Sequence, residues 1–294
     1  MKTILFFLSL ILLVVSCSGP SPEFSAAYAN GEENPTQIKF TNKTKSADSY
    51  TWYFGDGTIS NQTNPVHEFK AFGDVMVVLE AKKGNSVSRD TQYVNIPEPP
   101  RTKVKIETRF GDMIAELFNT TPLHRENFIK LANEGYYDSL LFHRVMDGFM
   151  VQGGDPDSRD AEPGQQLGLG SPPYTIKAEI GAPHYRGALA AARKPDGMNP
   201  EYESSGSQFY IVDGKQYSPI ELANVASQYQ TVYNETHEEI YATRGGTPFL
   251  DNLYTVFGQV IEGMEVIDSI TNVAVDGNNR PKEDIRMQIS VINE

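Results

Sequence analysis

The residues best suited to chemistry sit together in Phe142–Pro156, FHRVMDGFMVQGGDP. One guanidinium, Arg144, is followed within a few positions by an aromatic (Phe149), a thioether (Met150) and an amide (Gln152). Glycines at Gly148, Gly153 and Gly154 let the backbone bend sharply around them. A cation, a greasy surface and a neutral hydrogen-bonding group are an unusual combination for a core strand. They suit a shallow site that holds a small apolar ring and presses a donor against it. Metal chemistry has little support. The five histidines form no His-x-x-x-His pair and have no cysteine near them. Asp155–Asp160 lacks the alternating acids and the sixth-position glycine of a calcium loop, and is expected to be an acidic surface loop.

These residues need strands and helices to hold them, and the second half of the chain supplies both. Val104, Ile106 and Thr108 alternate with Lys and Glu, Gly111-Asp112 turns, and Met113–Phe118 returns as a strand. Thr121-Pro122 opens a helix, with Thr as N-cap and Pro at the first helical position. Phe128, Leu131 and Ala132 give that helix an apolar stripe, and Gly135 ends it. Residues 213–246 are helical in character. Ser218-Pro219-Ile220-Glu221 is a capping box, and Leu222, Val225, Ala226 and Tyr229 follow at helical spacing. A second helix is expected over Asn234–Arg244, then a helix over Gly263–Thr271 and a closing strand over Ile285–Ile292.

The first half reads as all-β. Ile38 and Phe40, then Tyr50, Trp52 and Phe54, then Val75, Val77, Leu79 and Ala81, alternate with polar neighbours between Gly/Asn/Asp turns. That pattern predicts a small antiparallel sandwich over 24–96 centred on Trp52, the only tryptophan. Asp56 is expected to stabilise its own loop rather than ligate a metal. Pro97-Glu98-Pro99-Pro100 makes 97–101 a stiff linker.

The whole chain has 294 residues and a net charge of −13, which argues against a nucleic-acid partner. With a single cysteine, Cys17, neither an internal disulfide nor a cysteine metal site is possible. A basic start followed by an apolar run over Ile4–Val15 is too short to span a membrane and reads as a signal-peptide core.

Three blocks in order carry a resemblance to the cyclophilins, the peptidyl-prolyl cis-trans isomerases. Phe142–Pro156 resembles their active-site strand pair, Gly206-Ser207-Gln208-Phe209-Tyr210 their GSQFF segment, and Phe249-Leu250-Asp251 with Val256-Phe257-Gly258 their WLDGKHVVFG segment. The resemblance covers 102–294 and implies an eight-stranded antiparallel β-barrel closed by two helices, here with a helical insertion at about 213–246. Trp52-Tyr53-Phe54-Gly55-Asp56-Gly57, followed by Pro65-Val66-His67-Glu68-Phe69, resembles a PKD domain, which implies an Ig-like β-sandwich. The mainly β class read from the alternation agrees with both. Ser16-Cys17 after the apolar run resembles a bacterial lipoprotein box. It implies a signal peptide over 1–16, a lipid on Cys17, a tether over 17–23, and a bacterial cell-envelope location, on the periplasmic or surface side of the outer membrane.

The cyclophilin resemblance implies an isomerase without cofactor or metal, acting on proline-containing polypeptides. It makes Arg144 the catalytic group. Its substrate-binding residues would be His143, Phe149, Met150, Gln152, Arg193, Gln208, Tyr210, Phe249, Leu250 and Tyr254, with His143 and Tyr254 at the rim. Arg193 stands where the family often has Asn, at the end of a strand whose main chain pairs with substrate. Phe249 stands where cyclosporin-sensitive members have Trp. Tyr210 stands where many members have Phe, so its hydroxyl must leave the apolar pocket or find a partner. Two other readings fit the same residues. One is a non-catalytic module that holds proline peptides in the same groove, and the other makes the PKD-like half an adhesin.

Overall fold

The structure, a computed structural model, describes residues 19–30 and 35–292; the apolar leader and Cys17 lie outside the described residues. The chain divides between Pro99 and Pro100 into two compact units.

In the first unit, strands β1 (Phe24–Tyr28), β2 (Gln37–Asn42) and β5 (Val66–Glu68) form one antiparallel sheet. Strands β3 (Ser49–Tyr53), β4 (Ile59–Ser60), β6 (Gly73–Lys83) and β7 (Ser86–Ile96) form a second, in the order β4-β3-β6-β7. Alternation sends Ile38 and Phe40 from one sheet, and Trp52, Val77 and Leu79 from the other, into a single core. Trp52 is fully buried, its ring 5.1 Å from Phe24 and 5.4 Å from Phe40. Its indole N–H donates to the Gln62 carbonyl at 2.9 Å, the partner a buried indole requires. Asp56 stabilises its loop: it accepts from the Thr58 N–H (2.9 Å) and hydroxyl (2.6 Å) and meets His67 Nε2 at 2.7 Å.

The second unit is an eight-stranded antiparallel sheet. In chain order its strands are β8 (Lys103–Thr108), β9 (Gly111–Leu117), β10 (Phe142–Met146), β11 (Met150–Gly153), β13 (Ala188–Ala191), β15 (Phe209–Val212), β16 (Val256–Glu262) and β17 (Met287–Ile292). A separate short ribbon pairs β12 (Thr175–Ile176) with β14 (Ser204–Ser205). The large sheet runs β10-β11-β15-β13-β16-β9-β8-β17, and its two ends meet. Leu141 bridges Arg286, Phe142 N–H donates to the Ile285 carbonyl (2.9 Å), and Met287 N–H donates to the Leu140 carbonyl (2.9 Å). Inside lies an apolar core that includes Val104, Leu117, Val151, Leu189, Phe209 and Phe257. Helix α1 (Pro122–Asn133) packs Phe128 and Leu131 into it, and helix α4 (Met264–Thr271) packs Val266, Ile267 and Ile270. Between β15 and β16 the insertion folds as α2 (Pro219–Tyr229) and α3 (Glu235–Thr243), with the Ser218–Glu221 capping box formed. Its small core is Tyr217, Leu222 and Tyr241.

Two local expectations are corrected. Thr121 is the N-cap residue and Pro122 opens α1 as expected, but the Thr121 side chain makes no cap bond; its hydroxyl turns back to the Phe118 carbonyl. The orphan N–H groups of Leu123 and His124 are taken by the two oxygens of Glu179, each at 3.0 Å. A carboxylate there also suits the positive end of the helix dipole. Asp155, expected on a surface loop, is fully buried. It accepts from the backbone N–H of Asp157 (2.8 Å), Gly168 (2.5 Å) and Gly170 (3.3 Å), so it ties the loop after β11 to the segment leading to β12.

Candidate active site

The site lies on the outer face of the sheet. Side chains of successive strand residues point to opposite faces, so Val145, Val151 and Ile211 enter the core while Met150, Tyr210 and Val212 face outward. The register sets Arg144 beside Gln152, Gln152 beside Tyr210, and Tyr210 beside Ala190, one row across β10, β11, β15 and β13. Ala188, Ala190 and Ala192 contribute only methyl groups to this face, which leaves room above them. The turn between β10 and β11 runs through Gly148 at φ +67°, a backbone conformation that glycine adopts without strain. That turn is braced from below: Asp213 accepts from the Gly148 N–H at 2.8 Å, and the Phe149 carbonyl accepts from the N–H groups of Asp213 and Gly214.

The result is a cavity of about 110 Å³ lined by Arg144, Phe149, Met150, Gln152, Ala192, Arg193, Tyr210, Leu250 and Tyr254. Arg144 Nη1 donates to Gln152 Oε1 at 3.2 Å, and Nη2 reaches the Met146 sulfur at 3.2 Å. Its guanidinium carbon lies 5.8 Å from the centre of the Phe149 ring. Among the described residues no carboxylate pairs with Arg144. Burial pulls its pKa below the ordinary arginine value, and the group stays cationic. Gln152 in turn donates to Gln208 Oε1 (3.0 Å), and Gln208 donates to the Gly170 carbonyl (2.6 Å). A relay of neutral amides thus fixes the guanidinium without neutralising it.

Of the residues singled out from sequence, Arg144, Phe149, Met150, Gln152, Arg193, Tyr210, Leu250 and Tyr254 come together around this cavity. Gln208 stands one step behind, lining the neighbouring groove of about 660 Å³. Phe249 does not line the cavity; its ring backs Phe149 at 5.7 Å. Arg193 lines it as a clamped wall. Its guanidinium carbon sits 4.7 Å from the Tyr202 ring centre and 4.4 Å from that of Tyr254, and Nε donates to the Leu253 carbonyl (3.0 Å).

His143 is not at the rim. A register shift between Phe142 and Arg144 lets Phe142 and Val145 both enter the core and leaves His143 on the flank, 4% exposed. A Cβ on Gly168 would sit 3.5 Å from its Nε2. Neither ring nitrogen has a hydrogen-bond partner among the described residues. Burial pushes the His143 pKa down to about 4, against the opposing pull of the Asp155 charge.

The demand of the Tyr210 hydroxyl for a partner was readable in the sequence, and the structure names the partner. Tyr210 Oη lies 3.0 Å from Nε2 of His184, a fully buried residue that no motif had marked. Asp213, the brace of the Phe149 turn, was also unmarked.

Residues 103–291 match the cyclophilin-type peptidyl-prolyl cis-trans isomerase family, and residues 18–97 match the PKD domain. A Staphylococcus aureus relative named for peptidyl-prolyl cis-trans isomerase activity is 34% identical over 193 residues, 65% of this chain and 92% of its own. A similarly named Staphylococcus haemolyticus relative is 37% identical over 187 residues, 62% of this chain and 87% of its own. A solved Cryptosporidium parvum cyclophilin-type isomerase aligns with a TM-score of 0.47 at 26% identity, covering 66% of this chain and 99% of that one.

Proposed function

Because the chain belongs to the cyclophilin-type peptidyl-prolyl cis-trans isomerase family, we propose that Arg144 is the group that catalyses the rotation and that the X-Pro bonds it turns belong to cell-envelope proteins. The amide resists rotation by about 18–20 kcal/mol because resonance holds it flat. At the twisted midpoint the proline nitrogen becomes pyramidal and gains a lone pair. A donor aimed there stabilises the twisted state more than either planar state. The observation that carries the assignment is the Arg144 guanidinium, which is half-buried, edges the cavity, and among the described residues hydrogen-bonds only an amide oxygen and a thioether. Its charge remains available to the substrate. Phe149, Met150, Tyr210 and Leu250 supply the apolar wall for the proline ring. The main chain of Ala192 is already used, its N–H on the Gln208 carbonyl and its carbonyl on the Ser205 N–H. The main chain of Arg193 makes no hydrogen bond among the described residues, and in this reading an extended substrate pairs there.

Substitution Arg144→Ala tests the assignment. Exchange of an X-Pro peptide should slow by about two to three decades, the ~3–4 kcal/mol of one well-aimed donor, while the peptide dissociation constant changes far less. Wild-type exchange in that variant would refute the role. Equal losses of rate and affinity would favour a module that only holds proline peptides. The envelope assignment rests on the short apolar run ending in Ser16-Cys17. Several acyl chains on Cys17, each CH₂ contributing about 0.8 kcal/mol, would anchor the protein. Cys17→Ala should then release it from the membrane fraction, and a variant still acylated there would end the proposal.

A further inference from the structure

The apolar wall of the cavity includes a tyrosine, and the fate of its hydroxyl is decided elsewhere in the fold. Tyr210 Oη meets His184 Nε2 at 3.0 Å. His184 Nδ1 and the His184 main-chain N both meet Asp251 Oδ1, at 3.0 and 2.7 Å. The other oxygen, Oδ2, accepts from the Tyr241 hydroxyl (2.6 Å) and lies 3.1 Å from that of Tyr233, whose one proton is shared with the Pro248 carbonyl at 3.0 Å. A ring nitrogen facing a carboxylate carries the proton, so in the neutral imidazole Nε2 accepts and Tyr210 donates. The chain of bonds therefore has one direction, from Tyr210 through His184 to Asp251. The two tyrosines that fill the far oxygen both come from the insertion, Tyr241 from α3 and Tyr233 from the segment just before it. His184 and Tyr241 are fully buried and neither lines the cavity itself; His184 reaches it only through Tyr210 and Tyr254.

We propose that His184 and Tyr241 are positioning residues for the proline pocket: acting through Asp251, they hold the Tyr210 hydroxyl out of the cavity, and so make the insertion between β15 and β16 part of the substrate-binding machinery. The proposal rests on the isomerase reading for the use of the cavity. An apolar proline ring offers a hydroxyl nothing to bond. A hydroxyl released from His184 must either stay unpaired against the ring or bring a water with it, and each costs binding energy. Asp251 is the hub because one oxygen takes His184 and the other meets the tyrosines of the insertion. With both filled, neither Asp251 nor His184 has reason to turn toward the pocket.

The test is a mutant cycle on the full chain, reading the dissociation constant of a short X-Pro peptide by NMR titration and the exchange rate of the bound peptide. His184→Leu should weaken binding by about tenfold, the scale of one unpaired buried polar group, with the bound exchange rate much less affected. In the Tyr210→Phe background the same substitution should change affinity less than about twofold, because no hydroxyl remains to be misdirected. Tyr241→Phe, which leaves Tyr233 on Asp251, should weaken binding by about threefold with Tyr210 present and not at all with Tyr210→Phe. Should His184→Leu fail to fold, the Tyr241→Phe cycle carries the same test. Equal losses in both Tyr210 backgrounds would mean a merely structural role and would overturn the proposal, as would wild-type affinity in both single variants. Failure of the isomerase reading would appear separately, as absence of catalysed exchange in the wild-type protein.

Discussion

Two turns of this molecule, one in each unit, are built alike and do different work. Phe54–Gly57 and Asp147–Phe149 each set an aromatic beside a glycine at positive φ, Gly55 and Gly57 at +77° and +87°, Gly148 at +67°. In the first turn the polar groups consume one another. Asp56 is filled by Thr58 and His67, and the His67 ring stacks on Phe54 at 4.1 Å. In the second, Phe149 hangs over a cavity, and the cation near it has only neutral partners. Both turns announce themselves strongly in the sequence. A strong signature therefore marks a constraint, and only the second turn leaves a polar group with capacity to spare.

The largest expected effect tests whether the two regions are separable. Trp52→Ala removes the centre of the sandwich core and should cost the first unit about 3–5 kcal/mol. Hydrogen-exchange protection over residues 24–96 should collapse, while X-Pro exchange catalysed by the second unit stays within about twofold. Arg144→Ala should do the reverse, with protection retained and catalysis lost. A Trp52→Ala protein that loses catalysis would break the comparison.

Two histidines, one in each unit, give the next test. His67 has Asp56 and Thr58, whereas His143 has no partner among the described residues and is held near a pKa of about 4 by burial. A histidine whose folded pKa lies below its free value of about 6.5 binds protons more readily when unfolded. Its contribution is therefore complete above pH 6.5 and is lost as pH falls from 6.5 towards 4, by up to about 3 kcal/mol. Urea midpoints of the second unit should drop over that window, and His143→Phe should flatten the drop. An unchanged slope in the variant would assign the acid sensitivity to other groups.

What the sequence made legible follows from locality. Arg144, Phe149, Met150 and Gln152 occupy two strands joined by one tight turn, so their adjacency in the chain is adjacency in space. Alternation likewise gave the core faces of β2, β3 and β6. All the failures but one involve partners from distant segments. Thr121 holds the N-cap position, but the carboxylate that takes the free N–H groups of α1 is Glu179, 55 positions away. Asp155 looked like a solvated acid because the backbone N–H groups that fill it, at Gly168 and Gly170, carry no side-chain signal. His184, Asp251 and Tyr241 come from three separate segments, so no spacing rule unites them. His143 was misplaced by a one-residue register shift, which alternation cannot foresee.

The smallest effect sharpens the comparison most directly, because it removes the polar centre of the quiet turn. Burial alone would raise the Asp56 pKa, but the hydrogen bonds from Thr58 and His67 outweigh it and hold the group at about 2. A carboxylate held below its ordinary value of 3.8 contributes stability that is present above pH 3.8 and is lost as pH falls towards 2. Asp56→Ala should therefore cost the first unit about 1 kcal/mol at neutral pH, the scale of the hydrogen bonds of a partly exposed turn. Asp56→Asn should keep the bond to the Thr58 N–H, lose the charge opposite His67, and cost less. Neither variant should alter X-Pro exchange or peptide affinity. Urea midpoints of the first unit beside exchange rates on the same samples measure both halves of the claim. A loss of catalysis in Asp56→Ala would mean that the closed turn has a role its saturated hydrogen bonds do not predict.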